Sequence, residues 1–396
     1  IEDQTDLTLG LFDDPVMHGL DAAIIQGAMG MDDDVALAGQ HPLREGRDQR
    51  AARQLVGDQR APCHRDSHAG DGSLHRQVVA VEGIATLNVD LGRADAGQIT
   101  ISALDAADKF SPARHMTGDN ASLLIYACAM ADFAAIDREQ YEIVAVTGNS
   151  MGWYLALAAG GVLGLEEGAH LVNNMGGLMH DKGVGGQIVW SIVDGDWQVD
   201  AAKAGLAEDI LAEAQALDGI DVHISIRLGG MLVFAANDAG LKWLAEKLPK
   251  DDRFPMRLNH HAAFHSALLD HIVPEAKVKN PADGFGVGAV PLIDGTGRIW
   301  SPKAFDPAAI YDYTLGHQIN RTYDFSLGVQ VAAREFAPDK IIVLGPGTTL
   351  GAPTIQSLIQ SGFRGFSGKS DFQKRQEDDP MLLSMGIEAQ RKLVTG

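Results

Sequence analysis

A chain can fold only around the large apolar side chains it has to bury, and in this one they begin late. Of the 24 aromatic residues, Phe12 alone lies in the first hundred positions. All 13 lysines lie at or beyond Lys109, whereas residues 1–100 carry 8 arginines, 14 aspartates and 3 glutamates. A segment with so little apolar area cannot offset the entropy of ordering its backbone. Residues 1–100 are therefore expected to be an atypical segment, disordered or not native to the fold that follows. Their short apolar runs, 22–25 and 78–81, would make weak strands. Such a texture is what a GC-rich gene read in a wrong frame, or past a misplaced start, would yield; an acidic extension is the alternative.

Several classes of function are excluded by composition. No uninterrupted apolar run approaches the ~18 residues of a membrane span. A net charge of −21 disfavours phosphate backbones and anionic lipid. Neither nucleic acid nor membrane is expected as a partner. Two cysteines, Cys63 and Cys128, cannot build a disulfide framework, and no basic-then-apolar leader opens the sequence as given. A cytoplasmic setting is expected. The 45 glycines exceed the usual ~7% and suit the tight strand-to-helix turns of an α/β fold.

Beyond residue 100, strand and helix patterns alternate. Asp119 and Asn120 offer an N-cap to a helix with Leu123, Leu124, Ala127, Met130 and Phe133 at helical spacing. A β-rich run at 142–147 leads through a glycine-flanked turn into a helix at 154–159, and a further helix is read over 165–180. Between 187 and 259 the order is strand, helix, two strands about Gly229-Gly230, helix, strand. That β-α-β-β-α-β order predicts a small ferredoxin-like unit inserted into a larger domain formed by 101–186 and 260–396. The larger domain resumes in an apolar strand at 341–344 that ends in Gly345-Pro346-Gly347.

The strongest chemical signal is Gly148-Asn149-Ser150-Met151-Gly152, a G-x-S-x-G between the expected strand and helix. At such an elbow the flanking glycines let the chain turn sharply and lift the serine hydroxyl above the sheet. Amides opening the next helix face the same space and can stabilise an oxyanion. Alone, the pattern also fits a glycine turn with an incidental serine; the strand before it and helix after it favour the elbow. A nucleophilic serine needs a base, and His260, His261 and His265 crowd one loop just after the small unit. On spacing alone these are loop histidines, a base or a metal site.

Three motifs in order resemble the malonyl-CoA:acyl carrier protein transacylase family over about residues 101–365. Gly148 to Gly152, with the helix after it, is similar to the family's G-H-S-x-G region. Ala263-Phe264-His265-Ser266 resembles its F-H-S segment. Gln318-Ile319-Asn320 and Leu344-Gly345-Pro346-Gly347 are similar to its Q-x-x-N-P and V-G-P-G segments. The resemblance implies an α/β fold with a hydrolase-like parallel-sheet core and the inserted ferredoxin-like subdomain. It implies an acyltransferase with Ser150 as nucleophile, His265 as general base and acid, and the backbone carbonyl of Gln318 orienting the histidine. The Met151 amide would be one oxyanion donor. Acyl-CoA would be the donor and an acyl carrier protein the partner. No resident cofactor and no metal is implied, because the phosphopantetheine arm belongs to the carrier.

Departures from the family pattern bear on specificity. The G-Q-G-S loop that supplies the second oxyanion donor is absent, Gln26 being a chance match. Met175 stands where the family's arginine binds the malonyl carboxylate, which predicts an uncharged acyl group. Asn149 and Trp153 replace the family's His and Glu, and Trp153 is expected to alter the pocket wall. Phe264 is expected to crowd the acyl pocket. A local basic patch for an acidic carrier is sought near Lys182, Arg257 and Arg321. Two rival readings are a serine esterase or thioesterase, and an inactive member serving as an interaction module. Lesser signals are bland. Cys63, His64, His68 and His75 have zinc-ligand types at no common spacing, and Asp32-Asp33-Asp34 reads as a solvated turn.

Overall fold

The computed structural model describes residues 87–395 apart from Asp252. The expectations that rest on residues 22–25, 26, 32–34, 63–75 and 78–81 lie outside the described residues. Packing begins before the compositional boundary at 100. Helix α1 (Leu87–Asp95) carries Arg93 into the interior, where its guanidinium donates to Ile99 O at 2.8 Å, Asp119 O at 3.0 Å, Asn173 Oδ1 at 2.7 Å and Asn120 Oδ1. Asp90 of the same helix accepts from the Ile101 amide at 2.6 Å. Residues 87–100 are thus anchored by a satisfied polar network, which an inventory of aromatic residues overlooks.

Thr117 occupies the N-cap position of helix α2 (Gly118–Ala135) without a side-chain capping bond. Asn120, expected at the cap, is instead the buried third residue of the helix, taken up by Arg93 and donating to Arg114 O at 2.7 Å. Strand β1 (Val146–Thr147), helix α3 (Gly152–Ala159) and helix α4 (Leu165–Lys182) follow.

Residues 186–258 form β2 (Gly186–Ser191), α5 (Ala201–Gln215), β3 (Val222–Leu228), β4 (Met231–Ala236), α6 (Asp238–Lys247) and β5 (Met256–Leu258). Their strands are antiparallel in the order β5-β2-β4-β3. Period-two alternation divides the sheet's side chains between two cores. Ile188, Trp190, Leu232 and Phe234 pack under α5 and α6, whereas Val189, Ile226 and Val233 join the core of the larger domain. The Asp200 carboxylate caps α5 and the Asn237 amide oxygen caps α6.

In the larger domain, α7 (Val273–Lys279) leads to β6 (Leu292–Ile293) and β7 (Ile299–Trp300). Helix α8 (Pro307–Asp312) runs through a π-helical turn, Tyr313–His317, into the short α9 (Gln318–Asn320). Strand β8 (Tyr323–Asp324), parallel to β3, ties the domain to the inserted sheet and is followed by α10 (Phe325–Phe336). Then come β9 (Ile341–Val343), α11 (Gly351–Gln360), α12 (Lys369–Asp378), β10 (Leu382–Ser384) and α13 (Glu388–Thr395).

The parallel ladders of this domain form two pairs, β1 with β6 and β9 with β10. The expected strand over 142–147 is in a ladder only at Val146–Thr147, because its partner β6 is two residues long. Leu292 and Ile293 are wholly buried, but Ile143–Val146 and Ile341–Leu344 are not, Val144 remaining 39% exposed. Those two apolar runs line one cavity of about 1710 Å³. Among the described residues no helix is long and apolar enough to cross a membrane.

Candidate active site

Ser150 occupies the turn between β1 and α3 in a left-handed backbone conformation, φ 55°. The turn closes so tightly that a Cβ on Gly148 would lie 2.1 Å from the Gly152 carbonyl oxygen, so only glycine fits there. The phenol of Tyr323, fully buried on β8, donates to the Gly148 carbonyl and pins the turn from below.

The loop after β5 brings His265, also left-handed at φ 55° and buried, to the serine. Its Nε2 lies 2.7 Å from Ser150 Oγ and its Nδ1 2.7 Å from the Gln318 carbonyl oxygen. A carbonyl can only accept, so Nδ1 carries the proton and Nε2 presents its lone pair to the serine hydroxyl. That is the tautomer a general base requires. The carbonyl is available because α9 ends at Asn320, leaving Gln318 without a helical partner four residues on. Gln318 contributes a second contact, its amide Nε2 donating to the Ser150 carbonyl at 2.7 Å. Burial pushes the His265 pKa down to about 4; the Gln318 carbonyl opposes the shift, and neighbouring His317 and His261 add to it. The resting imidazole is neutral at physiological pH.

At the start of α3 the amides of Gly152, Trp153 and Tyr154 donate to the carbonyls of Asn149, Ser150 and Met151 at 2.7, 3.0 and 2.9 Å. The Met151 amide has no acceptor among the described residues. The Gly345 amide on the opposite wall is committed to Asp132 Oδ2 at 2.8 Å. Among the described residues no three metal-ligating side chains converge.

Asn149, Met151, Met175, Phe264, His265 and Gln318 all line the cavity that opens at Ser150. The Asn149 Oδ1 is buried there without a partner. Met175 is buried, with Asn280 Nδ2 3.8 Å from its sulfur. Trp153 departs from expectation. The helical turn of α3 swings it inward, where its indole donates to Thr314 Oγ1 at 3.0 Å and meets the Tyr313 ring edge-on at 5.2 Å, so it forms no part of the cavity wall. Arg321 and Lys182 are paired on the surface with Asp270 and Glu275. Arg253 and Lys340 are the only arginine or lysine in the described lining. Sequence reading overlooked Tyr323 and the Gln318 amide; neither contact has a local signal, since the first spans 175 residues and the second 168.

No protein-family profile matches the chain, and no curated protein matches it. Its fold does match solved structures. The malonyl-CoA:acyl carrier protein transacylase of Synechocystis sp. superposes with a TM-score of 0.58 at 15% identity, covering 80% of this chain and 94% of that one. The acyl-carrier-protein S-malonyltransferase of Burkholderia pseudomallei gives 0.58 at 22%, covering 81% and 94%. A malonyl-transacylase in complex with its type II polyketide acyl-carrier protein gives 0.59 at 15%, covering 81% and 91%. The chain therefore has the α/β fold of these transacylases.

Proposed function

We propose that the chain is an acyltransferase that carries a short acyl group from coenzyme A to the phosphopantetheine thiol of an acyl carrier protein through an acyl-serine. The line Ser150 Oγ, His265 Nε2, His265 Nδ1, Gln318 O, set in a fold shared with transacylases, is the observation that carries this reading. Residues 187–259 are read as a ferredoxin-like subdomain on a hydrolase-like core formed by the residues on either side.

In the first half-reaction Ser150 Oγ attacks the thioester carbonyl carbon while its proton passes to His265 Nε2. The oxyanion forms beside the Met151 amide. The carbon–sulfur bond then breaks, and the coenzyme A sulfur leaves with the proton from Nε2. In the second half the carrier thiol gives its proton to Nε2 and attacks the acyl-serine ester; the Ser150 oxygen departs and recovers that proton. The Gln318 carbonyl takes the place of the usual triad carboxylate, holding the ring and stabilising the transient imidazolium. No resident cofactor enters these steps.

At Met175 itself the acyl end would meet a buried thioether and the neutral amide of Asn280, which supports an uncharged acyl such as acetyl, since a buried malonyl carboxylate without a charged partner is costly. Intact-mass analysis after mixing with acetyl-CoA or malonyl-CoA tests both points. The protein should gain an acetyl mass, lost in Ser150→Ala, and release it to a carrier thiol. Met175→Arg should move the preference toward malonyl. Wild-type preference for malonyl-CoA would overturn the specificity reading, and rapid release of free acid without carrier would favour the esterase.

A further inference from the structure

A second polar chain lies beside the histidine, with Gln187 and His261 in the cavity lining and Ser225 outside it. Gln187 on β2 and Ser225 on β3 are 1% and 0% exposed, Gln187 beside the buried apolar run 188–190 and Ser225 between Ile224 and Ile226. Gln187 Oε1 lies 2.7 Å from His261 Nδ1, Gln187 Nε2 donates to Ser225 Oγ at 2.5 Å, and Ser225 Oγ donates to the Phe264 carbonyl at 2.7 Å. Each direction is forced. The carbonyl can only accept, so the single hydroxyl proton of Ser225 goes there and Ser225 must accept from the Gln187 amide. The Gln187 oxygen is then left to accept from His261 Nδ1–H.

Two features show what this chain is aimed at. The β3–β4 register shifts between Ile224 and Ile226, so Ser225 is the extra residue of a β-bulge, a device that re-aims one side chain. The carbonyl it reaches belongs to the peptide bond between Phe264 and His265, whose amide donates to Ile319 O at 3.1 Å. That peptide is therefore gripped from both sides, immediately before a non-glycine residue at φ 55°. Such a conformation persists only where its surroundings over-determine it.

We propose that Gln187 and Ser225 are positioning residues for His265: through the Phe264 carbonyl they fix the peptide that keeps Nε2 on Ser150 Oγ. The proposal rests on the reading of Ser150 and His265 as the acyl-transfer pair. A shift of about 1 Å in a catalytic group costs up to about 100-fold in rate.

The test measures acyl-serine formation from acetyl-CoA, with rates normalised to the serine that labels at completion. Ser225→Ala should lower kcat about 10- to 100-fold with KM unchanged within about 2-fold, since substrate binding is untouched. Ser225→Thr, which keeps the hydroxyl, should recover most of the rate. Gln187→Met should lower kcat less, and the double variant should be no worse than Ser225→Ala alone, because both act through one carbonyl. If threonine does not fit the bulge, Gln187→Met and the double variant carry the test. Wild-type turnover per labelled serine in Ser225→Ala overturns the proposal, however few sites label. Ser150→Ala and His265→Ala separate the two readings. Transfer that survives in them sinks the functional reading; transfer that dies in them and survives unchanged in Ser225→Ala sinks only the positioning role.

Discussion

Ser150 and His265 both hold φ 55°, and both are fixed by contacts from distant segments. On the proposed mechanism neither is competent alone, so alanine at either position should cost several orders of magnitude in acyl transfer, and the double variant little more than either single one. Single-turnover rates of serine acylation would check this, and additive losses would mean that the two do not act as a unit. Protonation of His265 gives a second prediction. Its folded pKa of about 4 lies below the ordinary value of 6.5. The base stays neutral far into the acid range, so the acid limb of acylation should fall near pH 4 to 5 rather than near 6.5. The same shift sets a stability slope. Between 6.5 and 4 the unfolded chain binds a proton that the folded chain refuses. The stabilisation present above pH 6.5 is therefore lost as pH falls to 4, by about 3 kcal/mol in all. Denaturant midpoints at pH 7 and pH 4.5 should differ by less in His265→Asn than in the wild type. Equal differences would mean that the imidazole is more solvated than its burial implies.

At the scale of elements, legibility follows the range of the interactions. The elbow was readable because its determinants are local: a β-rich run, a G-x-S-x-G and an apolar helix within about twenty residues. The order of elements over 186–258 was readable for the same reason, strand, helix, two strands, helix and strand occurring as the local patterns predict. His265 was distinguishable from His260 and His261 only through the motif it shares with a family. Trp153 was misplaced because the direction of a side chain on α3 depends on what the distant π-helical turn presents to it. Ser225 was invisible, its bulge arising from a register shift against β4. Two glycines four residues apart in the same motif, Gly148 and Gly152, make the elbow testable. Gly148→Ala drives a Cβ into the Gly152 carbonyl and should destabilise by more than about 3 kcal/mol, with loss of serine labelling. Gly152→Ala meets nothing within 4 Å at the first position of α3 and should be neutral or stabilising by up to about 1 kcal/mol. Thermal melts of the two variants would decide; equal effects would contradict the geometry of the turn.

At the scale of the molecule, the two parallel strand pairs do not share a ladder among the described residues, and the apolar runs 143–146 and 341–344 face one cavity with their side chains incompletely buried. Strands buried on both faces of a parallel sheet read as continuous apolar runs, and both of these do. Their composition is that of an interior, whereas their exposure is that of an edge. The physical consequence lies in the backbone. Residues 142–145 extend toward the elbow with no ladder partner among the described residues, while β2 is paired on both sides by β4 and β5. Amide exchange follows such differences, because an N–H outside a ladder needs no opening event to meet water. A peptide spanning 142–145 should therefore exchange within seconds, and one from β2 should remain protected for hours, in hydrogen-exchange mass spectrometry of the full chain at neutral pH. Protection of 142–145 comparable to that of β2 would mean that a further strand pairs along the β1 edge and that the cavity is smaller in solution. Acylation would then be expected to depend on that strand, since it would run beside the segment that carries Ser150.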